Sequence, residues 1–140
     1  MAQNPRNKGL SHFFNPISVK DRVILKYIRI SCRNQLQKGY NVDVGVIPIT
    51  EKDKSGKVKR KQLEVDFVCN LGSARYYIQS AYSLPDEVKR TQEIRPFRKI
   101  DDSFKKIVIT KDIVQPHYDD YGILTINIYD FLLDPTSVEH

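Results

Sequence analysis

The stretch "KQLEVDFVCNLGSARYYIQSAY" (61–82) decides the fold. "LEVDFVC" alternates like a half-buried strand, with Leu63, Val65, Phe67 and Cys69 on one side and Glu64, Asp66 and Val68 on the other. Gly72-Ser73 suits a two-residue type II′ turn, which wants glycine at its first central position. "RYYIQSAY" then returns as a second strand. Pairing outward from the turn sets Leu71 opposite Ala74, Phe67 opposite Ile78, Asp66 opposite Gln79 and Glu64 opposite Ala81.

On the N-terminal side, "YNVDVGVIP" (40–48) alternates too, with Val42, Val44 and Val46 on one face and Asp43, Gly45 and Ile47 on the other. "EKDKSGKVKRK" (51–61) is a charged hairpin tip. With Ser55-Gly56 as its loop, Val46 meets Val65, Val44 meets Phe67 and Gly45 meets Asp66. Both hairpins then put apolar residues on one shared face, where a one-residue slip would mix the faces. The three strands form an antiparallel meander.

Before the meander the pattern is helical. Ser18 and Asp21 have capping-box spacing, Gly39 is the stop, and Val23, Tyr27 and Ile30 recur at helical spacing with Ile24 and Ile28 beside them. Lys20, Arg22, Lys26, Arg29, Arg33 and Lys38 make much of the remaining helix surface basic. Residues 1–15 read as an irregular polar leader, and 136–140 as a tail to a single domain spanning 16–135.

After the meander, Ser83 and Asp86 again show capping-box spacing, Pro85 fits a first turn, and Pro96 kinks or ends that helix. "KKIVIT" is a short buried strand, and "ILTINIYDFLL" a strand running into a short helix. Strand, helix and returning strand imply a right-handed crossover with parallel pairing. The expected fold is α/β (α+β), a mixed sheet with helices on its faces, in the order helix, three-strand meander, helix, strand, strand.

Composition agrees with one soluble domain: 140 residues, 40% apolar and 29% charged. No apolar run is long enough for a transmembrane span, and the N-terminus does not read as a secretion signal, so a cytoplasmic location is expected. Cys32 and Cys69 match no metal-ligand spacing and read as two buried thiols. His12 lies in the leader, while His117, close to Asp119 and Asp120, marks a solvated turn or a lone metal site. Charge is uneven: residues 1–70 carry 14 Lys and Arg against 6 Asp and Glu, residues 71–140 carry 9 against 11. A basic half fits nucleic acid, another acidic partner, or simple solubility.

Directly opposed strand residues have Cβ atoms roughly 4.5–5.5 Å apart, so Asp66 and Gln79 could reach one ion, with Glu64 in support. Phosphodiester cleavage with Mg²⁺ needs hard oxygen ligands and commonly a nearby lysine. "LEVDFV" followed by "YYIQSA" resembles the PD-(D/E)XK nuclease-like domain, whose restriction-endonuclease-like core has the same element order. "GYNVDVGVI", "KQLEVDFVCN", "RYYIQSAYSLPDE", "DSFKKIVI" and "ILTINIYDFLLDP" together resemble the uncharacterised C-terminal domain of bacterial predicted AAA-type ATPases, over roughly residues 39 to 135.

The resemblance implies Asp66 as the metal-binding aspartate and Gln79 at the second acidic position, a weak metal site to which the strand geometry adds Glu64 in support. Ala81 occupies the lysine position and has no charge or ligand atom; Lys89 or Arg90 would have to substitute. The implied function is a non-catalytic nuclease-like module, serving nucleic-acid or protein recognition beside an upstream ATPase domain of the same protein. The alternatives are an active Mg²⁺-dependent nuclease with a relocated lysine and a purely structural protein-interaction domain. No G-x-x-x-x-G-K-[ST] loop occurs, so no cofactor is expected for the chain itself, and Mg²⁺ only under the nuclease alternative. The polar face of Glu64, Asp66, Tyr77 and Gln79 has a structural reading too, with Asp66 paired to Arg90. The basic tip, Lys52, Lys54, Lys57, Lys59, Arg60 and Lys61, is the candidate contact surface, and it lacks the aromatics that base stacking needs.

Overall fold

The computed structural model describes residues 18–139; the leader and His12 lie outside the described residues. Helix α1 (Val19–Leu36) is followed by β1 (Asn41–Lys52), β2 (Val58–Leu71), β3 (Ala74–Ala81), α2 (Glu87–Arg98), β4 (Lys105–Thr110), β5 (His117–Tyr118), β6 (Leu124–Asn127) and α3 (Ile128–Leu133), with a 3₁₀ turn at Pro135–Glu139. One six-stranded mixed sheet runs in the order β1-β2-β3-β4-β6-β5. The meander is antiparallel, and β4 pairs parallel to both β3 and β6. The expected order holds, with the two-residue edge strand β5 added.

Two cores sandwich the sheet. On one face, Ile28, Cys32 and Leu36 of α1 pack with Phe67, Cys69, Ile78, Ile107, Ile109 and Ile126, closed by Phe131 of α3 and Val138. On the other, Ile94 and Phe97 of α2 pack with Val65, Tyr77, Ala81, Val108 and Ile123. Residues 136–139, expected as tail, contribute the fully buried Val138 to the first core.

Helix α1 starts where the sequence places it: Ser18 Oγ accepts from the Asp21 backbone N–H at 3.1 Å. Its apolar positions divide between two sides. Ile28, Cys32 and Leu36 face the sheet, whereas Val23, Tyr27 and Ile30 point outward. The helix is apolar on two sides, and periodicity alone could not say which side meets the sheet. Helix α2 starts later than expected, with Asp86 as cap accepting from Lys89 N–H at 2.8 Å. Ser83 instead donates to Asp112 at 2.8 Å. Pro96 sits in the last turn, two residues before the helix ends.

The second hairpin has the expected register, Phe67 opposite Ile78 and Leu71 opposite Ala74, with Gly72 at φ 60°. The first hairpin does not. Its loop is three residues, 54–56: Gly56 N–H bonds the Asp53 carbonyl at 3.0 Å and Asp53 N–H bonds the Lys57 carbonyl at 2.9 Å, with Gly56 at φ 81°. The extra residue slips the pairing, so Val46 meets Glu64 and Gly45 meets Val65. A β-bulge then restores the register: Asp43 pairs with Val68, leaving Val44 opposite both Asp66 and Phe67. Around it, Val65 and Val68 both turn toward α2 and converge over Gly45, where a Cβ would lie 2.7 Å from Val68 Cγ2 and 3.1 Å from Val65 Cβ.

Candidate functional site

Asp66 and Gln79 are neighbours across β2 and β3, but their side chains serve opposite faces of the sheet. Asp66 Oδ2 accepts from the Ser80 backbone N–H at 2.8 Å and from Ser80 Oγ at 2.6 Å. Arg29 of α1 stands 3.6 Å from the same oxygen and donates through Nε to Ser80 Oγ at 3.3 Å. Gln79 turns toward α2: its Nε2 donates to the Glu93 carbonyl at 3.5 Å, and its Oε1 accepts from Asp66 N–H at 2.9 Å. The expected shared hold on one ion is therefore corrected. The bulge rotates Asp66 onto the α1 face together with Phe67, while β3 alternates regularly and sends Gln79 to the other side.

The other expected site residues disperse. Glu64 lies with Asp66, Arg29 and Arg33 along a cavity of about 260 Å³ on the α1 face. Ala81 is buried against Ile94 and Phe97. Lys89 pairs with Glu93 along its own helix at 2.9 Å. Arg90 is not beside Asp66. It forms a 2.6 Å ion pair with Asp119 and donates to Thr125 at 3.0 Å. Burial opposes the charge on Asp119, but Arg90 and the Ile123 and Tyr121 N–H groups outweigh it and hold the carboxyl below its ordinary range. Burial, and for Cys32 also nearby Asp66, pushes the Cys32 and Cys69 thiols up to about 12, so neither is a thiolate near neutrality.

A larger cleft of about 600 Å³ runs along α2, between Arg90, Ile94 and Arg98 on the helix and Asp112, Asp119 and Tyr121 on the loops around β5. Its central charges are already engaged: Arg90 with Asp119, and Asp112 with the Ser83 hydroxyl and the Leu84 N–H. Arg98 stacks over Tyr121 with its guanidinium carbon 4.5 Å from the ring centre. His117 is exposed on β5, with Nδ1 2.8 Å from the Gln115 carbonyl. Among the described residues, no group of three or more His, Cys, Asp or Glu could hold a metal ion. None of their helices is long and apolar enough to cross a membrane.

The basic tip becomes a ribbon. β3 pairs with Phe67–Leu71 only, so Val58–Glu64 has β1 as its single strand neighbour, a reach of roughly 20 Å at ~3.3 Å per residue. Lys52, Lys54, Lys57, Lys59 and Arg60 are all exposed and have no ion-pair partner among the described residues. The two acids at the tip of the ribbon are occupied. Glu51 pairs with Lys61 at 3.0 Å and with Arg95 of α2, which braces the ribbon from behind. Asp53 accepts from Ser55 N–H, Ser55 Oγ and Lys57 N–H, bonds that lower its pKa.

Sequence reasoning missed Arg29 and Ser80 as the partners of Asp66. The available signal was the loop: Asp53 two residues before Ser55 and a glycine at 56 also fit a three-residue turn, which shifts every ribbon pairing by one. Compared with family models, curated proteins and solved structures, the chain matches none of them.

Proposed function

We propose that this domain is a non-catalytic nucleic-acid-recognition module of the nuclease-like kind, carried beside an ATPase, which grips the phosphate backbone with its β1–β2 ribbon. The observation that carries the reading is the ribbon itself: five exposed cations without ion-pair partners among the described residues, on a two-stranded projection whose tip acids, Glu51 and Asp53, are engaged. A two-stranded ribbon fits the roughly 12 Å major groove. Lysines address phosphates as point charges without fixing a sequence. The absence of aromatics among residues 50–62 favours backbone contact over base stacking.

The non-catalytic half of the reading rests on the old ligand positions. The Asp66 carboxylate is held by Ser80 and Arg29, Gln79 faces the other helix, and Ala81 is core. The nuclease alternative draws no support from Lys89 or Arg90, which are paired to Glu93 and Asp119.

Binding to a short DNA duplex, followed by fluorescence anisotropy without and with Mg²⁺, tests the reading. With four or five phosphate contacts, affinity falls about 10²–10³-fold between about 50 and 200 mM salt. Changing Lys54, Lys57, Lys59 and Arg60 to Glu abolishes binding, Mg²⁺ brings no cleavage, and Asp66→Ala leaves the salt slope unchanged. Undiminished binding by the charge-reversed ribbon defeats the nucleic-acid reading. Mg²⁺-dependent cleavage that Asp66→Ala removes defeats the non-catalytic one.

A further inference from the structure

Helix α1 has two apolar faces, and among the described residues only one of them is packed. Ile28, Cys32 and Leu36 pack on the sheet. On the opposite side Val19, Val23, Tyr27 and Ile30, spaced four, four and three, are 75%, 49%, 66% and 45% exposed. They make a row about 16 Å long, at 1.5 Å per residue. The row continues onto the sheet, because Ile30 and Val44 line one cavity of about 260 Å³ beside α1, and Val46 lies two residues further on the same face of β1. Scattered apolar side chains on a surface are ordinary, whereas four large ones sharing one helix face mark an interaction site.

A second row runs beside the first. Arg22, Lys26 and Arg29 each immediately precede a member of the apolar row, and Arg33 extends the line. One residue's step is about 100° around a helix, so the cations border the apolar stripe along its length. Lys26 and Arg33 have no ion-pair partner among the described residues.

We infer that this face docks an acidic amphipathic helix from a partner protein, its apolar stripe lying on Val23, Tyr27 and Ile30 and its Asp and Glu residues meeting the flanking basic row. Charge selects this occupant over the others. Two copies of the chain meeting face to face would set the same four cations against each other. Residues 1–17 carry Arg6 and Lys8 and no Asp or Glu, so they supply no complement. Helices that lie in such grooves anchor through residues at i, i+3 or i+4, and i+7, the spacing that the exposed row presents. The adjoining cavity offers Ile30, Val44 and Phe67 to an apolar side chain and Arg29 and Arg33 to an acidic one, beside its own Glu64 and Asp66. This docking is independent of the ribbon and of nucleic acid.

The test uses the whole chain, ¹⁵N-labelled, titrated with a synthetic helical peptide of about five turns with Leu on one stripe and Glu elsewhere, against the same composition scrambled. The expected result is micromolar binding of the patterned peptide, with amide shifts at residues 19–33 and 44–46. Tyr27→Ser with Ile30→Ser should weaken it by about tenfold or more, and so should Lys26→Glu with Arg33→Glu. Both pairs are exposed, and unchanged circular dichroism and melting establish that they fold. Several outcomes overturn the inference. They are equal binding of the scrambled peptide, no binding of the patterned one up to roughly 1 mM, or shifts confined to other surfaces. A concentration-dependent dimer that the Tyr27 and Ile30 variant abolishes makes the occupant a second copy. A nitroxide on Ser11→Cys that broadens the Val23–Ile30 amides makes it the chain's own leader. Tighter binding to phosphatidylserine vesicles than to the peptide, lost in both variants, makes it a lipid surface.

Discussion

The two hairpins of the meander share β2, yet they obey their loops differently. Gly72-Ser73 closes β2–β3 in two residues, and the pairing set by that turn persists to Phe67 and Ile78. The β1–β2 hairpin closes in three, its pairing slips by one, and the Asp66–Phe67 bulge takes up the slip where the ribbon joins the sheet. One extra loop residue thus decides, some ten residues away, that Asp66 faces α1 while Gln79 faces α2. A strand's side-chain period of two turns any odd shift into a change of face. Two residues can be neighbours in register and still belong to different sites.

The largest effect that would break this comparison is expected at Ala81. It is 1% exposed against Ile94 and Phe97, so Ala81→Lys overpacks that core and buries a charge. A loss of about 3–5 kcal/mol in urea unfolding is expected. A stable variant would mean that the position opens to solvent like a genuine lysine site. Adding Gln79→Glu to Ala81→Lys should give no Mg²⁺ or Mn²⁺ binding by calorimetry in any folded fraction, because the carboxylates at 66 and 79 point to different helices.

Next comes Asp66→Ala, which strips the Ser80 N–H and hydroxyl of their acceptor and leaves Arg29 without its acid. About 2–3 kcal/mol of stability should go, measured the same way. A neutral result would mean that Asp66 is not structural. Gly45→Ala should cost about 1–3 kcal/mol, since its Cβ would meet Val68 and Val65 at the convergence beside the bulge. Ala at Gly56, with φ 81°, should cost about 1 kcal/mol in the first hairpin. Were Gly56→Ala silent, the three-residue loop would be wrong.

The smallest effect sharpens the comparison through pH. Hydrogen bonds from Ser55 and Lys57 lower the Asp53 pKa from its ordinary 3.8. A depressed carboxyl steadies the loop above the unfolded value and releases it as pH falls through the lower, folded one. Amide exchange at Ser55 and Lys57 should therefore quicken below about pH 4, beyond the intrinsic rate, while exchange at Ser73 and Ala74 does not. Equal behaviour of both turns would remove the role given to Asp53.

Much of the fold was legible because it depends on local rules. The Ser18 cap, the Gly72-Ser73 turn, the alternation of β2 and the helix between β3 and β4 all follow from residues within one turn or one strand of each other. The candidate site was less legible. Asp66 was identifiable as a strand acid, but Arg29 lies 37 positions away, on a helix whose inward face the pattern left open. Val23, Tyr27 and Ile30 have the spacing of a core stripe and stand in solvent, because Cys32 and Leu36 continue a competing stripe from Ile28 that fits the sheet.

The chain by itself determined the elements, their order, the charge of the ribbon and the parallel return of β4, since periodicity, turn chemistry and crossover handedness act over short spans. Only the tertiary structure decided which face each polar residue serves and which side of α1 is buried. Those outcomes rest on a one-residue difference in loop length, absorbed by a bulge, and on packing between segments distant in sequence. The packing leaves no local trace in the order of residues, and the loop leaves only Asp53, Ser55 and Gly56, which fit a two-residue turn as well as a three-residue one.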